Sequence, residues 1–303
     1  MTTASLRSGV SAPASPEHRA QLVPAAALTR RVQPLRRPWQ WVATGVVLLL
    51  ALNFGQTLFT NPAWEWSRVG HWFFNPAILT GLTITLEATA ISAVVSFVGG
   101  VIVALARRSR NRVLSGAAWL YIWVFRSIPL ILVLVFLYNL ASLYPKIGVG
   151  IPFGPQLQFS TTNVLSDLTL GVVGLSLAEI AFAAEIVRSG LVAVDLGQHE
   201  AAKALGIPRY RQFTRIVLPQ ALRTIVPGYV NQIVGLLKSS SLLFYVSVLD
   251  LFGVVQNLQS TYPSEVIPLL VVASVWYLIL TSAIALVQYF VERFYNRGLK
   301  GAR

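Results

Sequence analysis

Three ionisable residues stand inside runs of apolar sequence where a charge is costly: Glu87 in TITLEATAISAVV, Glu179 in GLSLAEIAFAA and Lys238 in VGLLKSSSLLF. A carboxylate or an ammonium group alone in low dielectric is strongly unfavourable, so such residues either line a path for a solute or neutralise one another. Both chemistries are open to this set. In one, Lys238 pairs with Glu179 or Glu87 as a structural ion pair. In the other, Lys238 receives a substrate carboxylate, a glutamate receives the substrate ammonium, and Ser239, Ser240, Ser241 and Asn231 add neutral hydrogen bonds. The run of serines favours the second, because a purely structural pair does not require them. A zwitterion suits such a site.

A second group lies further along: Glu185 and Arg188 in AEIVRSG, and Arg126 three residues before Pro129. A pair between Glu185 and one of these arginines acts as a gate or a structural pin rather than as a solute contact. Other chemistries are excluded by composition. There is no cysteine, so disulfides, thiolate metal sites and cysteine nucleophiles are absent. His18, His71 and His199 are far apart and have no ligand spacing, so no metal site is expected. No paired acids or histidine cluster converge near one interface, as a membrane-embedded enzyme would need. No G-x-x-x-x-G-K-[ST] loop is present.

The elements that must position these groups are membrane helices. Of 303 residues 55% are hydrophobic and only 12% charged, and the mean hydropathy is +0.64, which points to several spans. A span needs about 20 apolar residues, and runs of that length fall at 39–58, 78–106, 114–143, 169–190, 224–248 and 266–291. An all-α polytopic protein with six transmembrane helices is predicted. The third run is too long for one straight span, and Pro129 is expected to divide it into an interfacial piece and a span after it. At about 1.5 Å per residue, Glu87 and Glu179 lie about 14–15 Å into their helices. Lys238 lies about 16 Å in if its helix begins at Pro227, so all three fall near the midplane of a core about 30 Å thick.

Charge sets the orientation. The net charge is +13, and 20 of the 24 Lys and Arg fall in the arm before residue 38, the 107–112 loop, the 188–223 loop and the tail after 291. Arg68 and Lys146 lie on the opposite side. By the positive-inside rule both termini are cytoplasmic, and the basic balance is topological rather than a nucleic-acid footprint. The Ala/Ser/Pro/Arg-rich residues 1–38 read as a disordered cytoplasmic arm. Residues 39–77 read as an N-terminal transmembrane helix with its outer loop, 78–292 as a core with a cytoplasmic loop at 191–223, and 293–303 as a basic tail. Trp64, Trp66, Trp72, Phe73 and Phe74 in the first outer loop read as an interfacial aromatic belt. The second outer loop, 145–168, is Pro/Gly-rich.

The 191–223 loop is polar inside this greasy chain. Asp195, with Gln198 in capping-box position, predicts a helix start, and Gly206 followed by Ile207-Pro208 predicts its stop. A short helix over roughly 196–205 follows, and a basic one from Pro208 that breaks at Leu218-Pro219. Two short helices joined by a glycine turn make a compact docking knob, and most connectors are shorter.

Glu200-Ala201-Ala202, three residues, Gly206, nine residues, Ile216, one residue and Leu218-Pro219 resemble the EAA loop of ABC importer permeases at every defined position. The resemblance extends to the polar amino acid permeases. FRSIPLILVLVFLY (125–138) is similar to their FRGTPLLVQLF. AEIVRSG with Gly197-Gln198 is similar to their AEI-x-R-x-G and GQ-x-EAA, and VLPQALRTIVPGYVNQIVGLLKSSSL (217–242) to their VLPQALR…P…NQ…LLKDTSL. It covers roughly 78–292, and departs at Ser127-Ile128, where Gly-Thr is common, and at Ser239-Ser240, where Asp-Thr is common.

The resemblance implies a type I ABC importer permease in a bacterial inner membrane that moves a polar amino acid. It also implies its partners: an ATPase dimer that carries ATP and Mg, a second permease chain, identical or a paralogue, and an extracytoplasmic binding protein. Glu200, Ala201, Ala202 and Gly206, with Ile216, Leu218 and Pro219 behind them, would form the ATPase-coupling loop. An ion-coupled secondary amino acid carrier is the competing class, and the internal hydropathy repeat usual in such carriers is not visible.

Overall fold

The computed structural model describes residues 38–151, 154–160 and 166–296. The expected arm, most of the basic tail and residues 161–165 of the second outer loop lie outside them. The chain divides into two units, one ending at Asn61 and one beginning at Pro62. In the first unit, α1 (Pro38–Thr60) is apolar and of spanning length. Its threonine hydroxyls bond back to carbonyls three or four residues before, Thr44 to Gln40 and Thr60 to Gln56 at 2.8 Å each, so these hydroxyls are not left open to hydrocarbon.

The second unit is built from α2 (Trp66–Phe73), α3 (Pro76–Arg107), α4 (Arg112–Ser127), α5 (Leu130–Tyr138), α6 (Leu140–Leu143), a β1–β2 hairpin, α7 (Asp167–Val192), α8 (Leu196–Ala204), α9 (Arg209–Gln212), α10 (Leu218–Ser239), α11 (Leu251–Thr261) and α12 (Val266–Asn296). Four helices are each long and apolar enough to cross a membrane: α1, α3, α7 and α12. Two bent helix pairs pass the same test only when each pair is taken together, so the candidate spans number four to six among the described residues. One pair is α4 with α5, turned by 101° at Ser127–Pro129. Ile128 is extended (φ −88°, ψ 131°), as a residue before proline must be. The break therefore falls where Pro129 placed it. The expectation of a span after Pro129 is corrected, because α5 has only nine residues, about 14 Å of helix.

The helix α3 threads the whole core. Its first turns pack with α2, α11 and α12 around Ile78, Leu251 and Leu269. Its middle packs with α5, α7 and α10 around Ala88, Leu134 and Leu236, and its last turn with α4, α7 and α10 around Ala104, Ile122 and Ile225. Among the buried residues of α3, Gly81, Thr85, Ala88, Ser92, Ser96, Gly100 and Ala104 form a stripe of small side chains at helical spacing. Lipid gives helices no hydrophobic reason to associate, so close backbone approach and interhelical hydrogen bonds must supply the attraction. Both are present. A Cβ on Gly100 would lie 2.9 Å from the backbone of Ala183–Ala184 in α7. Ser92 Oγ donates to the Val172 carbonyl at 3.3 Å, and Tyr121 OH to that of Leu177 at 2.6 Å.

The second outer loop carries secondary structure, and one expectation for the first is corrected. Residues 146–160 hold an antiparallel hairpin, β1 (Lys146–Gly150) with β2 (Gln156–Ser160), registered from Lys146 opposite Ser160 to Gly150 opposite Gln156. The aromatic belt is split. Trp66 and Phe74 are exposed, whereas Trp72 is only 7% exposed and donates Nε1–H to Glu265 at 3.2 Å. Phe73 stacks on Trp276 with centroids 4.8 Å apart.

Because the Gly100 contact is with backbone, no side-chain rotation relieves it. Gly100→Val is expected to cost at least about 1–3 kcal/mol and to lower the melting temperature of the detergent-solubilised protein. Gly116→Val, with nothing within 4 Å of its Cβ, serves as the tolerated control. Equal melting of the two would show that α3 and α7 do not pack this closely.

Candidate functional site

The loop between α7 and α10 is folded by local chemistry. Asp195 caps α8, its carboxylate accepting from the Gly197 N–H at 2.6 Å. The acceptor bond goes to Gly197 rather than to Gln198, so the expected capping box is replaced by a simple Asp cap. At the other end Gly206 adopts φ +66°. Its N–H bonds the Lys203 carbonyl at 3.0 Å, and the Ile207 N–H bonds that of Ala202 at 2.9 Å. These two bonds form a Schellman stop that requires the left-handed conformation at Gly206. Gln212 of α9 donates to the His199 carbonyl at 3.4 Å and ties the second short helix to the first.

The faces of α8 are sharply divided. Ala202 is 2% exposed and packs against its own chain, whereas Glu200, Ala201 and Lys203 are exposed and Leu205 is 76% exposed. The knob thus offers an apolar tip beside one carboxylate. The expected break at Leu218-Pro219 does not occur. A π-helical turn, Phe213–Val217, carries α9 into α10, with Pro219 in the first turn of α10. The Gln220 side-chain amide donates to the Ile216 carbonyl at 2.8 Å, supplying a local donor at this proline step. Pro227 accordingly lies inside α10 rather than at its start, so the depth of Lys238 is not counted from it.

The charged residues of the apolar segments separate into two places. Glu185 and Arg188 form an ion pair within α7, with Nε and Nη2 of Arg188 2.8–3.1 Å from the carboxylate. The Arg126 guanidinium lies over the Phe182 ring at 5.6 Å. All three line one cavity of about 690 Å³ between α3, α4 and α7. Glu179, six residues before Glu185 on α7, is 7% exposed, and its Oε1 has no hydrogen-bond partner, as is also true of Ser176 Oγ one turn away.

Lys238, Glu87 and Asn231 are exposed. Among the described residues the ion pairs are Arg188–Glu185 and Arg68–Glu265, so Lys238 is paired with neither Glu179 nor Glu87. The serines are partly committed: Ser240 Oγ donates to the Leu237 carbonyl and Ser241 Oγ to that of Lys238, each at 2.8 Å.

Two buried acids, Asp250 and Glu265, were not singled out from sequence. Asp250 is fully buried and caps α11, accepting from the Gly253 N–H at 2.9 Å, Tyr277 OH at 3.2 Å and Thr85 Oγ1 at 3.4 Å. Thr85 in turn accepts from the Leu251 N–H at 2.9 Å. The node joins α3, α11 and α12. Its signal was an aspartate directly before LFGVV, an N-cap pattern.

Residues 96–296 match the family of binding-protein-dependent transport system inner membrane components. The chain belongs to this family. The permease is 38% identical to the arginine transport system permease protein ArgU of Corynebacterium glutamicum, over 88% of this chain and 83% of that one. It is 32% identical to the glutamate/aspartate import permease protein GltK of Escherichia coli, over 72% and 93%. In three dimensions it resembles a crystal structure of an amino acid ABC transporter with histidines, with a TM-score of 0.63, 28% identity and 73% and 94% of the two chains covered. The inward-facing MetNI methionine ABC transporter shares the fold at a TM-score of 0.55 and 19% identity. The permease is thus a multi-pass inner membrane component of an ABC importer, with the type I importer fold, and not an ion-coupled secondary carrier.

Proposed function

We propose that this permease moves a polar amino acid, with both termini and the 191–223 loop on the cytoplasmic side. It works with a separate ATPase dimer that holds ATP and Mg, a second permease chain and an extracytoplasmic binding protein. The observation that carries the coupling role is the Schellman-capped α8, which presents Glu200, Ala201 and Leu205 outward on a short rigid lever. Ala202, Ile216, Leu218 and Pro219 hold that lever to the bundle. The family and the relatives named for arginine and for glutamate/aspartate support the solute class.

For the solute path, Glu179 is the first candidate. A buried carboxyl oxygen without a partner is costly unless something arrives to satisfy it. A substrate ammonium or guanidinium would do so. Lys238, exposed and unpaired with either glutamate, would receive a carboxylate, with Glu87, Asn231 and Ser239 as further polar contacts. Ser240 and Ser241 contribute less, since their hydroxyls bond the helix backbone. The Glu185–Arg188 pair, with Arg126 beside it, acts as a pin at the end of α7.

The test is reconstitution with the cognate ATPase and binding protein in liposomes, following uptake of labelled arginine, glutamine, glutamate and histidine. ATP-dependent uptake of at least one is expected. Uptake that survives without the ATPase and collapses with an ion gradient would sink the reading.

Three predictions follow this mechanism. Gly206→Val places a β-branched residue at φ +66°, a strain of about 1–2 kcal/mol that is roughly a ten-fold shift in the population of the native loop. It should leave membrane insertion intact while reducing ATPase association and uptake. Wild-type uptake would remove the loop from coupling. Glu179→Gln and Lys238→Met should each retain assembly and binding-protein-stimulated ATP hydrolysis but lose solute transfer, and normal transfer in both would take these residues off the path. Single cysteines at Ser109 and Thr214, clean probes in a Cys-free chain, should resist an impermeant thiol reagent added outside cells. Labelling of either would reverse the orientation.

A further inference from the structure

The cavity of about 690 Å³ beside the Glu185–Arg188 pair is lined by four arginines, Arg107, Arg108, Arg126 and Arg188, and by one carboxylate, Glu185. That carboxylate is held by Arg188 through three short contacts. Arg107 donates only to a neutral hydroxyl, Ser115 Oγ at 3.3 Å, and Arg126 lies over the face of Phe182. Among the described residues neither Arg107, Arg108 nor Arg126 has an acidic partner within 4 Å. Three positive charges therefore face a shared space without compensation. Like charges so gathered repel, and an anion in the cavity relieves them.

We infer that this cavity is a binding site for a phosphate group, contributed by an anionic lipid headgroup or by a soluble phosphate. Guanidinium groups match phosphate oxygens in charge and in fork geometry. The transported zwitterion fits poorly, because the lining's one carboxylate is already paired and would leave an ammonium group unmet. The wall next to the arginines is suited to a lipid. Trp119 and Trp123 stack on each other with centroids 6.1 Å apart and both are exposed. They lie on α4, which turns 101° from α5 and carries an apolar exposed face with Val113, Leu114 and Leu120. A short amphipathic helix with tryptophans and basic ends has the chemistry of a helix that lies in the headgroup layer. The basic surface also continues past the cavity: Arg107 lines an adjoining space of about 400 Å³ with Arg110 and Arg112.

The experiment uses the full-length permease, purified in mild detergent and examined by native mass spectrometry with added phosphatidylglycerol or phosphatidylcholine, and by calorimetry with inorganic phosphate. Wild-type protein should retain phosphatidylglycerol in preference to phosphatidylcholine. The double variant Arg108→Gln/Arg126→Gln should lose roughly ten- to thirty-fold in retention, two basic side chains being removed. Arg293→Gln, outside the lining, should retain it as the wild type does, and Arg108→Lys/Arg126→Lys should keep most of the preference. Phosphate binding that the glutamine variant loses, without any lipid preference, supports the same site with a soluble source. Equal retention of the two lipids by the wild type together with no phosphate binding overturns the inference, and needs no variant to fold. So does undiminished binding in a monodisperse glutamine variant.

Discussion

The close approach of α3 to α7, set by Gly99, Gly100, Ala183 and Ala184, fixes where everything else can stand. With Gly100 against the α7 backbone the two helices behave as one body, since any side chain larger than hydrogen there would have to displace peptide atoms. That body carries the chemistry at both ends. α7 bears Glu179, Glu185 and Arg188 and runs directly into the α8 loop. α3 ends in Arg107, which faces the same cavity as Arg188. The third member, α10, is locked on by Tyr229, whose hydroxyl reaches both the Ala93 carbonyl and, at 2.8 Å, Ser96 Oγ. These polar contacts between helices do what hydrophobic burial does in water-soluble cores, because lipid is as apolar as the side chains it touches.

Within that body, two buried acids show how the same residue type serves opposite ends. Asp250 is met by a backbone N–H, a phenol and a threonine hydroxyl, and so fastens α11 to α3 and α12. Its polar capacity is used up inside the chain. Glu179 is as well shielded, yet one of its oxygens meets no donor, and its neighbour Ser176 is in the same condition. A buried unsatisfied group costs about 1–3 kcal/mol, and more when charged. The fold thus satisfies Asp250 three times and leaves one oxygen of Glu179 without a donor.

What could be read from sequence follows the range of the forces involved. The α8 boundaries, the left-handed Gly206 and the turn before Pro129 were legible because caps and X-Pro sterics act over a few residues. The spans were legible from composition. The family resemblance rested on Glu200 to Pro219, where every defined position falls on the expected residue type. The partnering of Lys238 was not legible, since it depends on which helices face one another. Nor was the inward turn of Ala202, because an alanine reads the same on either side of a helix. The hairpin at 146–160 was hidden by glycines that depress strand propensity. Trp72 was assigned to the interface because a tryptophan gives no sign in sequence that Glu265, 193 residues away, will accept its N–H.

The π-turn at Phe213–Val217 joins the α8 loop to α10 without a break in the helical path. Had the chain broken at Leu218-Pro219, the knob would hang from a hinge and an outside push on α8 would be lost in bending. Instead α9, the π-turn and α10 form a nearly continuous helical rod from Arg209 to Ser239, and Gln212 ties that rod to α8 through the His199 carbonyl. On its other side α8 is joined to the end of α7 by three residues, Ala193 to Asp195, with Val194 buried in the same cluster as Val187, Val217 and Ala221. α8 is therefore tied to α7 and α10 together. Those are the two helices on which Glu179 and Lys238 stand.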